Sequence, residues 1–322
     1  MLKHTLLIAA GFLAAACTTT TPTTNVAWEG AELPERSFRF TYEATLPADG
    51  PGDKLEMWIP IPVDTAEQSI SNIEVVASHD VAINALLRGN GKSAYLSSVG
   101  EDLSITLSFD VTRRASSGGM SATADELELG LAADSMIPLD GKVGMLAASM
   151  PTHDDEVATA EALYRHTFDR MRYDKPQGGD WGRGDAEWAC DSRYGNCTDF
   201  HSYFMGLARA KGIPTRFVMG FPVPSLESGE TKVGGYHCWA YFYDTEEGWR
   251  PVDISEADKD PSKVDFFFGN IDENRVEMIG GRDLVLEPTP EAGALNLFIY
   301  PYAEVNDVMS RDLTKSFSIE NL

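Results

Sequence analysis

The sequence contains few cysteines, few basic residues and almost no long apolar segment. Four cysteines in 322 residues are too few for a small disulfide-built scaffold. Lys and Arg number 26 against 50 acidic residues, a net charge of −24. Such a charge repels phosphate backbones and argues against a nucleic-acid partner. The only long apolar run lies at residues 6–13, so no later segment is expected to span a bilayer. The length predicts about two domains.

The N-terminus has the layout of a secretory signal. Lys3 precedes the apolar run, and three alanines stand directly before Cys17, which is the charged, apolar and small-residue order of a signal peptide. The stretch resembles a bacterial lipoprotein signal, with Ala14 where Leu is usual. The resemblance implies that residues 1–16 are removed, that Cys17 is lipidated and that residues 17–34 form a tether. The chain is then expected in the cell envelope, on the periplasmic or outer side, with the anchor as its only membrane contact. A plain signal peptide cut before a chance cysteine is the alternative.

Residues 35–115 are predicted to form an antiparallel β-sandwich-like domain. Residues 37–46 and 102–111 alternate apolar and polar side chains, the pattern of half-buried strands. Shorter strand candidates separated by Gly, Asp and Asn turns lie between them. This region carries no catalytic cluster, and we interpret it as a scaffold or binding module. A Ser- and Gly-rich break at residues 116–119 opens a connector over 116–150.

Residues 151–322 are predicted to form a second domain of the α+β class. Thr152 is the predicted N-cap of a helix whose apolar residues follow at helical spacing up to Met171. A second helix is predicted over 198–211, with Gly212 as a left-handed cap. Strand-like segments occupy 215–221, 236–243, 248–254 and parts of 264–302. Helices and strands in this order are typical of an α+β domain.

Cys197, His237 and Asp253 stand where a nucleophile, a base and an orienting carboxylate are expected. Cys197 immediately precedes the helix 198–211, and the unpaired N–H groups and dipole at that helix end favour a thiolate. His237 shares an aromatic strand face with Trp239, and Asp253 ends the next predicted strand. These three side chains can form a nucleophile, base and orienting group. Burial of Cys197 as a small apolar side chain is the alternative.

Several sequence motifs resemble the core of the transglutaminase-like superfamily. They are GNCTDFH at 195–201, LARAKGIPTR at 207–216, VMGF at 218–221, YHCWA at 236–240 and GWRPVD at 248–253. The resemblance covers about residues 150–260 and implies a papain-like α+β fold with Cys197, His237 and Asp253 as a triad. Since the family includes transglutaminases, peptidases, amidases and inactive members, the fold does not settle the reaction.

The resemblance implies a thiol-dependent acyl-transfer enzyme that acts on peptide or carboxamide bonds. His237 would take the proton of Cys197, and Asp253 would hold the imidazole. The thiolate would attack a carbonyl and form a thioester, which water hydrolyses or an amine aminolyses. We expect peptidase or amidase activity rather than transamidation, on a peptide, protein or small amide, without a metal or other cofactor. A lipid-anchored binding or scaffold protein with an inactive triad is the alternative.

The oxyanion of such a reaction needs hydrogen-bond donors. The backbone N–H of Cys197 is one candidate by position. Papain-type enzymes use a Gln six residues before the nucleophile, and this position is Asp191 here. The indole N–H groups of Trp181 and Trp188 are therefore candidates for the second donor, and Trp239 is a candidate substrate contact.

Other readings of the same residues stay open. His201 lies four residues after Cys197 on the same helix face, where it could act as the base or contact the substrate. Zinc binding would use Cys190, Cys197, His201, His237 and Cys238, but no C-x-x-C spacing occurs. Cys190 and Cys238 could form a disulfide or remain two buried thiols. Strand alternation points Cys238 away from the His237 face, which argues against Cys238 as the nucleophile.

Overall fold

The computed structural model describes residues 32–224 and 229–322. The predicted signal peptide, Cys17 and the predicted tether up to residue 31 lie outside the described residues. Within the described ranges, no helix is both long and apolar enough to cross a membrane.

The secondary structure begins with strands and alternates with helices after residue 115. The first strands are β1 (Glu35–Leu46), β2 (Lys54–Ile61), β3 (Gln68–Ala77), β4 (Ala82–Ala85), β5 (Arg88–Asn90), β6 (Lys92–Val99) and β7 (Leu103–Arg114). The next elements are α1 (Ala124–Leu131), α2 (Lys142–Ser149), α3 (Glu156–Arg170), β8 (Arg172–Tyr173), α4 (Ala186–Ser192), β9 (Tyr194–Gly195) and α5 (Cys197–Ala210). The last are β10 (Thr215–Pro222), β11 (Thr231–Lys232), β12 (His237–Asp244), β13 (Gly248–Val252), α6 (Ile254–Lys259), a 3₁₀ turn (Pro261–Lys263), β14 (Arg275–Val285), β15 (Tyr302–Val305), β16 (Val308–Met309) and β17 (Thr314–Asn321).

Two five-stranded antiparallel sheets contain most of the N-terminal strands. Their orders are β11-β17-β1-β7-β3 and β16-β15-β2-β6-β4. Strand β1 buries Phe38, Phe40 and Tyr42 completely, as the alternating sequence requires, and each such side chain contributes roughly 1.5–3 kcal/mol. The buried residues of both sheets belong to one hydrophobic core. The predicted sheet-rich, sandwich-like N-terminal part is therefore confirmed.

A third sheet, of order β13-β12-β10-β14-β5, positions the candidate site. Helix α5 packs against β12 and β10, and α2, α3, α4 and α6 surround it. A smaller core on the other face is formed by Val218, Trp239, Tyr241, Trp249 and Ile271. Helices therefore cover one face of an antiparallel sheet, and the predicted α+β class is confirmed.

The C-terminal strands return to the N-terminal sheets. The sequence assigns residues 151–322 to one domain, whereas β17 pairs with β1 along residues 38–45 and β15 pairs with β2. Conversely, the N-terminal strand β5 pairs with β14 in the third sheet. Alternation predicts which face of a strand is buried, but it does not say which strand lies beside it. The sequence pattern therefore could not predict which strands pair with each other.

Three local predictions differ from the structure by a few residues. The N-cap of α3 is Asp155, whose carboxylate accepts from the Val157 N–H at 2.9 Å, whereas Thr152 accepts from Lys211 at 2.9 Å. The predicted connector 116–150 contains α1 and α2. The predicted strand 248–254 ends at Val252, so that the next residue caps α6. The second predicted helix is confirmed as α5, and Gly212 has the left-handed φ of 81°.

Candidate active site

The start of helix α5 is built by a capping box that positions Cys197. The Asn196 side chain accepts from the Thr198 N–H at 2.9 Å, and Asp199 accepts from the Asn196 N–H at 3.0 Å. A Cβ at Gly195 would lie 2.4 Å from Asp199 Oδ2, so this close approach requires glycine. Cys197 is the first helical residue, a position where the backbone N–H has no partner within the helix.

His237 lies between Cys197 and Asp253. Its Nε2 is 2.7 Å from Asp253 Oδ2, which leaves Nδ1 for Cys197, and Cys197 and His237 each shift the pKa of the other. The three residues are 1%, 5% and 0% exposed for Cys197, His237 and Asp253. The structure thus brings all three predicted residues together in one buried group that is shielded from solvent.

The charges of this chain favour a thiolate and an imidazolium. Burial alone would raise the pKa of Cys197, but hydrogen bonds from Cys238 and His237 and the positive charge of His237 lower this pKa well below its ordinary value. Burial alone would lower the pKa of His237, but the charge of Asp253 and hydrogen bonds to Asp253 and Cys197 raise it to about 10. The proton therefore resides on the imidazole at neutral pH.

Arg275 on β14 is a further member of the site. It donates to Asp253 Oδ2 at 2.9 Å, while Ser255 and the Glu256 N–H lie 3.2 Å from Oδ1. Burial opposes ionisation of Asp253, but the charges of His237 and Arg275 hold the pKa of Asp253 well below its usual range. The sequence analysis missed Arg275 because only the pairing of β14 with β10 brings it to Asp253. Its one sequence signal is an arginine at the start of a strand-like segment.

Cys238 lies against the first turn of α5, close to Cys197. Its side chain lies on the opposite face of β12 from Trp239, as predicted, since the two belong to different cores. However, α5 packs on the Cys238 face, so the Cys238 sulfur lies 3.7 Å from Thr198 Oγ1 in the first turn of α5, and Cys238 lowers the pKa of the neighbouring Cys197. Burial and the neighbouring Cys197 raise the pKa of Cys238 well above its ordinary value, so Cys238 remains a thiol.

His201 connects two helices and is completely buried. Its Nδ1 lies 2.7 Å from the Cys197 carbonyl oxygen, and its Nε2 accepts from the Ile254 N–H at 3.1 Å. Because Nε2 accepts, the ring is neutral with its proton on Nδ1, and burial lowers the pKa of His201 accordingly. Both nitrogens are occupied by backbone groups, which leaves neither directed at the Cys197 sulfur.

The three tryptophan candidates for the oxyanion and substrate are dispersed, as is Asp191, which stands at the position of the papain Gln. The indole of Trp181 donates to the Pro176 carbonyl at 2.9 Å, and Trp188 packs edge-on against Tyr194. Asp191 pairs with Lys142 at the surface. Trp239 is completely buried with its ring 6.0 Å from that of His237 and Arg275 over it at 5.0 Å. Trp239 therefore packs against both His237 and Arg275.

A cavity of about 430 Å³ opens beside His237. Its charged lining consists of Lys232, Glu256, Asp272 and Arg275. Glu256 Oε1 lies 3.9 Å from His237 Nδ1 and 2.6 Å from Lys259 Nζ, so this partly exposed carboxylate is shared between two cations. The sequence analysis missed Glu256, which the first turn of α6 presents three residues after Asp253.

The placement of the remaining cysteines bears on the disulfide and zinc alternatives. Cys190, Cys197 and Cys238 are all free thiols, so Cys190 and Cys238 form no disulfide. Among residues 32–224 and 229–322, no group of three or more His, Cys, Asp and Glu side chains is arranged to hold a metal ion.

Comparisons with known proteins identify the segment that carries this geometry. Residues 144–254 match the sequence profile of the transglutaminase-like superfamily. A protein of Haemophilus influenzae, described as an uncharacterized protein, is 38% identical over 140 residues, which cover 34% of this chain and 38% of that protein. This relative is therefore matched over well under half of its length.

Two solved structures match this chain to different extents. A candidate cysteine protease from Cytophaga hutchinsonii has a TM-score of 0.59 at 13% identity, over 90% of this chain and 93% of its own. The periplasmic domain of TgpA from Pseudomonas aeruginosa has a TM-score of 0.40 at 17% identity, over 73% of this chain and 79% of its own. The first likeness extends over the sheets on both sides of the matched segment. The chain therefore has a transglutaminase-like fold, with a transglutaminase-like domain at residues 144–254 that carries Cys197, His237 and Asp253.

Proposed function

We propose that this protein is a thiol-dependent acyl-transfer enzyme acting on peptide or carboxamide bonds, with Cys197, His237 and Asp253 as its triad. One observation supports the proposal most, namely a buried imidazole that lies 2.7 Å from the Asp253 carboxylate and is electrostatically coupled to the buried Cys197 thiol. This is the geometry of a nucleophile, a base and an orienting group.

In the first half of the reaction, the Cys197 thiolate attacks the carbonyl carbon of the substrate. The backbone N–H of Cys197, at the start of α5, donates to the developing oxyanion. His237 then gives its Nδ1 proton to the leaving nitrogen, so the C–N bond breaks and an amine departs. The acyl group remains on Cys197 as a thioester, and Asp253 keeps the imidazole oriented throughout.

In the second half, His237 removes a proton from the attacking nucleophile. Water releases a carboxylic acid and regenerates the thiol, whereas an amine forms a new amide. Hydrolysis prevails unless a subsite holds the amine, because water is far more concentrated. Peptides, proteins and small amides that reach the 430 Å³ cavity beside His237 are the proposed substrates. The reaction requires no metal or other cofactor, and nucleic acid is not a partner.

We infer that the mature protein acts outside the cytoplasm as a lipoprotein of the cell envelope. The support is the N-terminal order of Lys3, an apolar run and three small residues before Cys17. The lipid on Cys17 would be its only contact with the membrane. Mass spectrometry of the envelope fraction tests this, since a Cys17→Ser variant should lose the acylated N-terminal peptide.

Alkylation of Cys197 by iodoacetamide tests the triad. A free thiol reacts with a midpoint near pH 8.5, whereas the thiolate–imidazolium pair should react at a nearly constant rate from about pH 6 to about pH 9. Modification is followed by mass spectrometry on the peptide that contains Cys197, because Cys190 and Cys238 are also thiols. His237→Ala should move the midpoint towards that of a free thiol.

His201→Ala is the matched control because it removes the other histidine near Cys197. It should keep the flat profile, and a free-thiol profile in this variant alone would transfer the role of base to His201. Two results would contradict the proposed enzyme. One is a wild-type profile like that of free cysteine, and the other is a His237→Ala profile that equals the wild-type profile. Either result would favour an inactive binding or scaffold protein.

A further inference from the structure

A second cavity lies near the start of β10, whereas His237 pairs with a residue near the end of that strand. It has a volume of about 270 Å³ and lies among the ends of β5, β10 and β14 and helix α1. Ligand pockets commonly have about 300–1,000 Å³, so this one suits a small molecule. It shares no lining residue with the cavity beside His237.

The cavity is positively charged although the chain is strongly acidic. Its charged lining residues are Arg88, Arg209, Arg216, Arg282, Glu126 and Asp134. Asp134 is already paired with Arg88 at 3.1 Å and with Arg209 at 2.6 Å, and Glu126 is engaged in the capping box of α1. Positive charge therefore remains in excess on the lining, which favours an anion.

Arg216 has donors that nothing in the described part of the chain satisfies. Its Nε and Nη2 are shielded from solvent and have no hydrogen-bond partner among residues 32–224 and 229–322. The guanidinium lies 4.3 Å from the ring centre of Tyr241 and 5.6 Å from that of Trp249. The two rings hold the guanidinium plane, so its orientation is set before any ligand arrives.

Trp249 adds another unsatisfied donor to the same cavity. Its side chain is 1% exposed, and its indole N–H also lacks a hydrogen-bond partner within the described residues. An unsatisfied buried donor costs about 1–3 kcal/mol. A ligand with acceptor oxygens and a negative charge would satisfy Arg216 and Trp249 together, as carboxylates and phosphates do for arginine elsewhere.

We propose that this cavity binds a small anion through its carboxylate or phosphate group, held by Arg216 and Trp249. The site is independent of the triad and of the proposed reaction. Glu277 is the carboxylate with the largest electrostatic effect on Arg216, and its Oε2 likewise has no partner among the described residues. If a water molecule joins Glu277 to Arg216 instead, anions will not bind.

Isothermal titration calorimetry of the whole protein with inorganic phosphate, and separately with succinate, tests the proposal at constant ionic strength. We expect saturable binding to one site by at least one of the two anions. Binding of phosphate alone would identify a phosphate site, and binding of succinate a carboxylate site. No saturable heat with either anion would overturn the proposal.

Variants locate the binding. Arg216→Gln should weaken it by about tenfold or more, as expected for a lost charged hydrogen bond. Glu126→Gln is the matched control, because it removes a negative charge from the same lining and should preserve or strengthen binding. Trp249→Phe retains an aromatic ring but not the N–H, and it should weaken binding. This variant also tests the site if Arg216→Gln does not fold. Unchanged affinity in both Arg216→Gln and Trp249→Phe would place the anion elsewhere and refute the site.

Discussion

The guanidinium of Arg275 lies 2.9 Å from the Asp253 carboxylate, and both side chains are buried. The same carboxylate oxygen accepts from the imidazole Nε2 of His237 at 2.7 Å. Two cations therefore share one buried anion. Arg275 also pairs with Asp272 at 3.3 Å, which fixes its orientation. Arg275 is thus a positioning residue that keeps Asp253 ionised for the proposed triad.

Arg275→Met should make the protein less stable and more sensitive to acid. Removing one partner of a buried pair costs roughly 3–5 kcal/mol. The pKa of Asp253 is depressed in the folded state, so its contribution to stability is present above the unfolded pKa of about 3.9 and is lost as the pH falls towards the folded value. Without Arg275 the folded pKa rises, and acid unfolding should begin at a higher pH.

Urea unfolding monitored at several pH values measures this change. Arg39→Met is the matched control, since Arg39 pairs with Asp110 and Glu74 on a partly exposed strand, and such pairs contribute about 0–1 kcal/mol. Equal losses of stability in the two variants, or an acid midpoint that stays at the wild-type value in Arg275→Met, would show that Arg275 has no special role.

Asp253→Asn should reduce the turnover of any amide substrate far more than Glu256→Gln. Loss of the Asp253 charge lowers the pKa of His237 from about 10 and favours the wrong tautomer, which in the serine-protease template reduces kcat by about 10⁴-fold. Glu256 is partly exposed, 3.9 Å from the imidazole, and shared with Lys259. Its neutralisation should change kcat by less than about tenfold.

The two variants can be compared directly by kcat and by Cys197 alkylation at pH 6. Both variants remove one negative charge near His237. The comparison therefore separates the effect of the carboxylate that is hydrogen-bonded to His237 from the effect of the carboxylate that is only adjacent to it. If Glu256→Gln were the more damaging variant, the orienting group would be Glu256 rather than Asp253.

Cys238→Ala should raise the pKa of Cys197 and slow its alkylation below neutral pH. The neighbouring Cys238 thiol lowers the pKa of Cys197, because a donor directed at the charged form stabilises a thiolate. Cys238→Ser keeps a donor of similar size and should restore most of the wild-type profile. Alkylation between pH 4 and 8 measures the midpoint, and identical profiles for the Ala variant and wild type would show that the contact has no electrostatic effect.

The residues of the triad were predictable because each stands in a recognisable local pattern. Cys197 stands at the start of a predicted helix, and His237 lies on an alternating aromatic strand. Such patterns depend on spacing along the chain, which sequence shows directly. The roles of these residues in catalysis remain predictions until the experiments above are done.

The partners of the triad could not be predicted in the same way. Arg275 is 22 residues from Asp253, and it arrives there through a strand pairing that no local pattern specifies. Cys238 was assigned to the correct face of its strand, but that assignment did not reveal that α5 covers the face. His201 shows the converse, since its helical spacing suggested a base, while tertiary packing gives both ring nitrogens to the backbone.

By itself, the sequence determined the α+β class, the helix that begins at Cys197 and the three residues proposed to react, because helix caps, strand alternation and motif spacing are local properties. Only the tertiary structure decided that the C-terminal strands complete the N-terminal sheets, that Arg275 holds Asp253, and that α5 covers Cys238. It also placed the unpartnered donors of Arg216 and Trp249 beside one cavity. These are contacts between distant segments, and their geometry is set by which strands pair and which faces pack together.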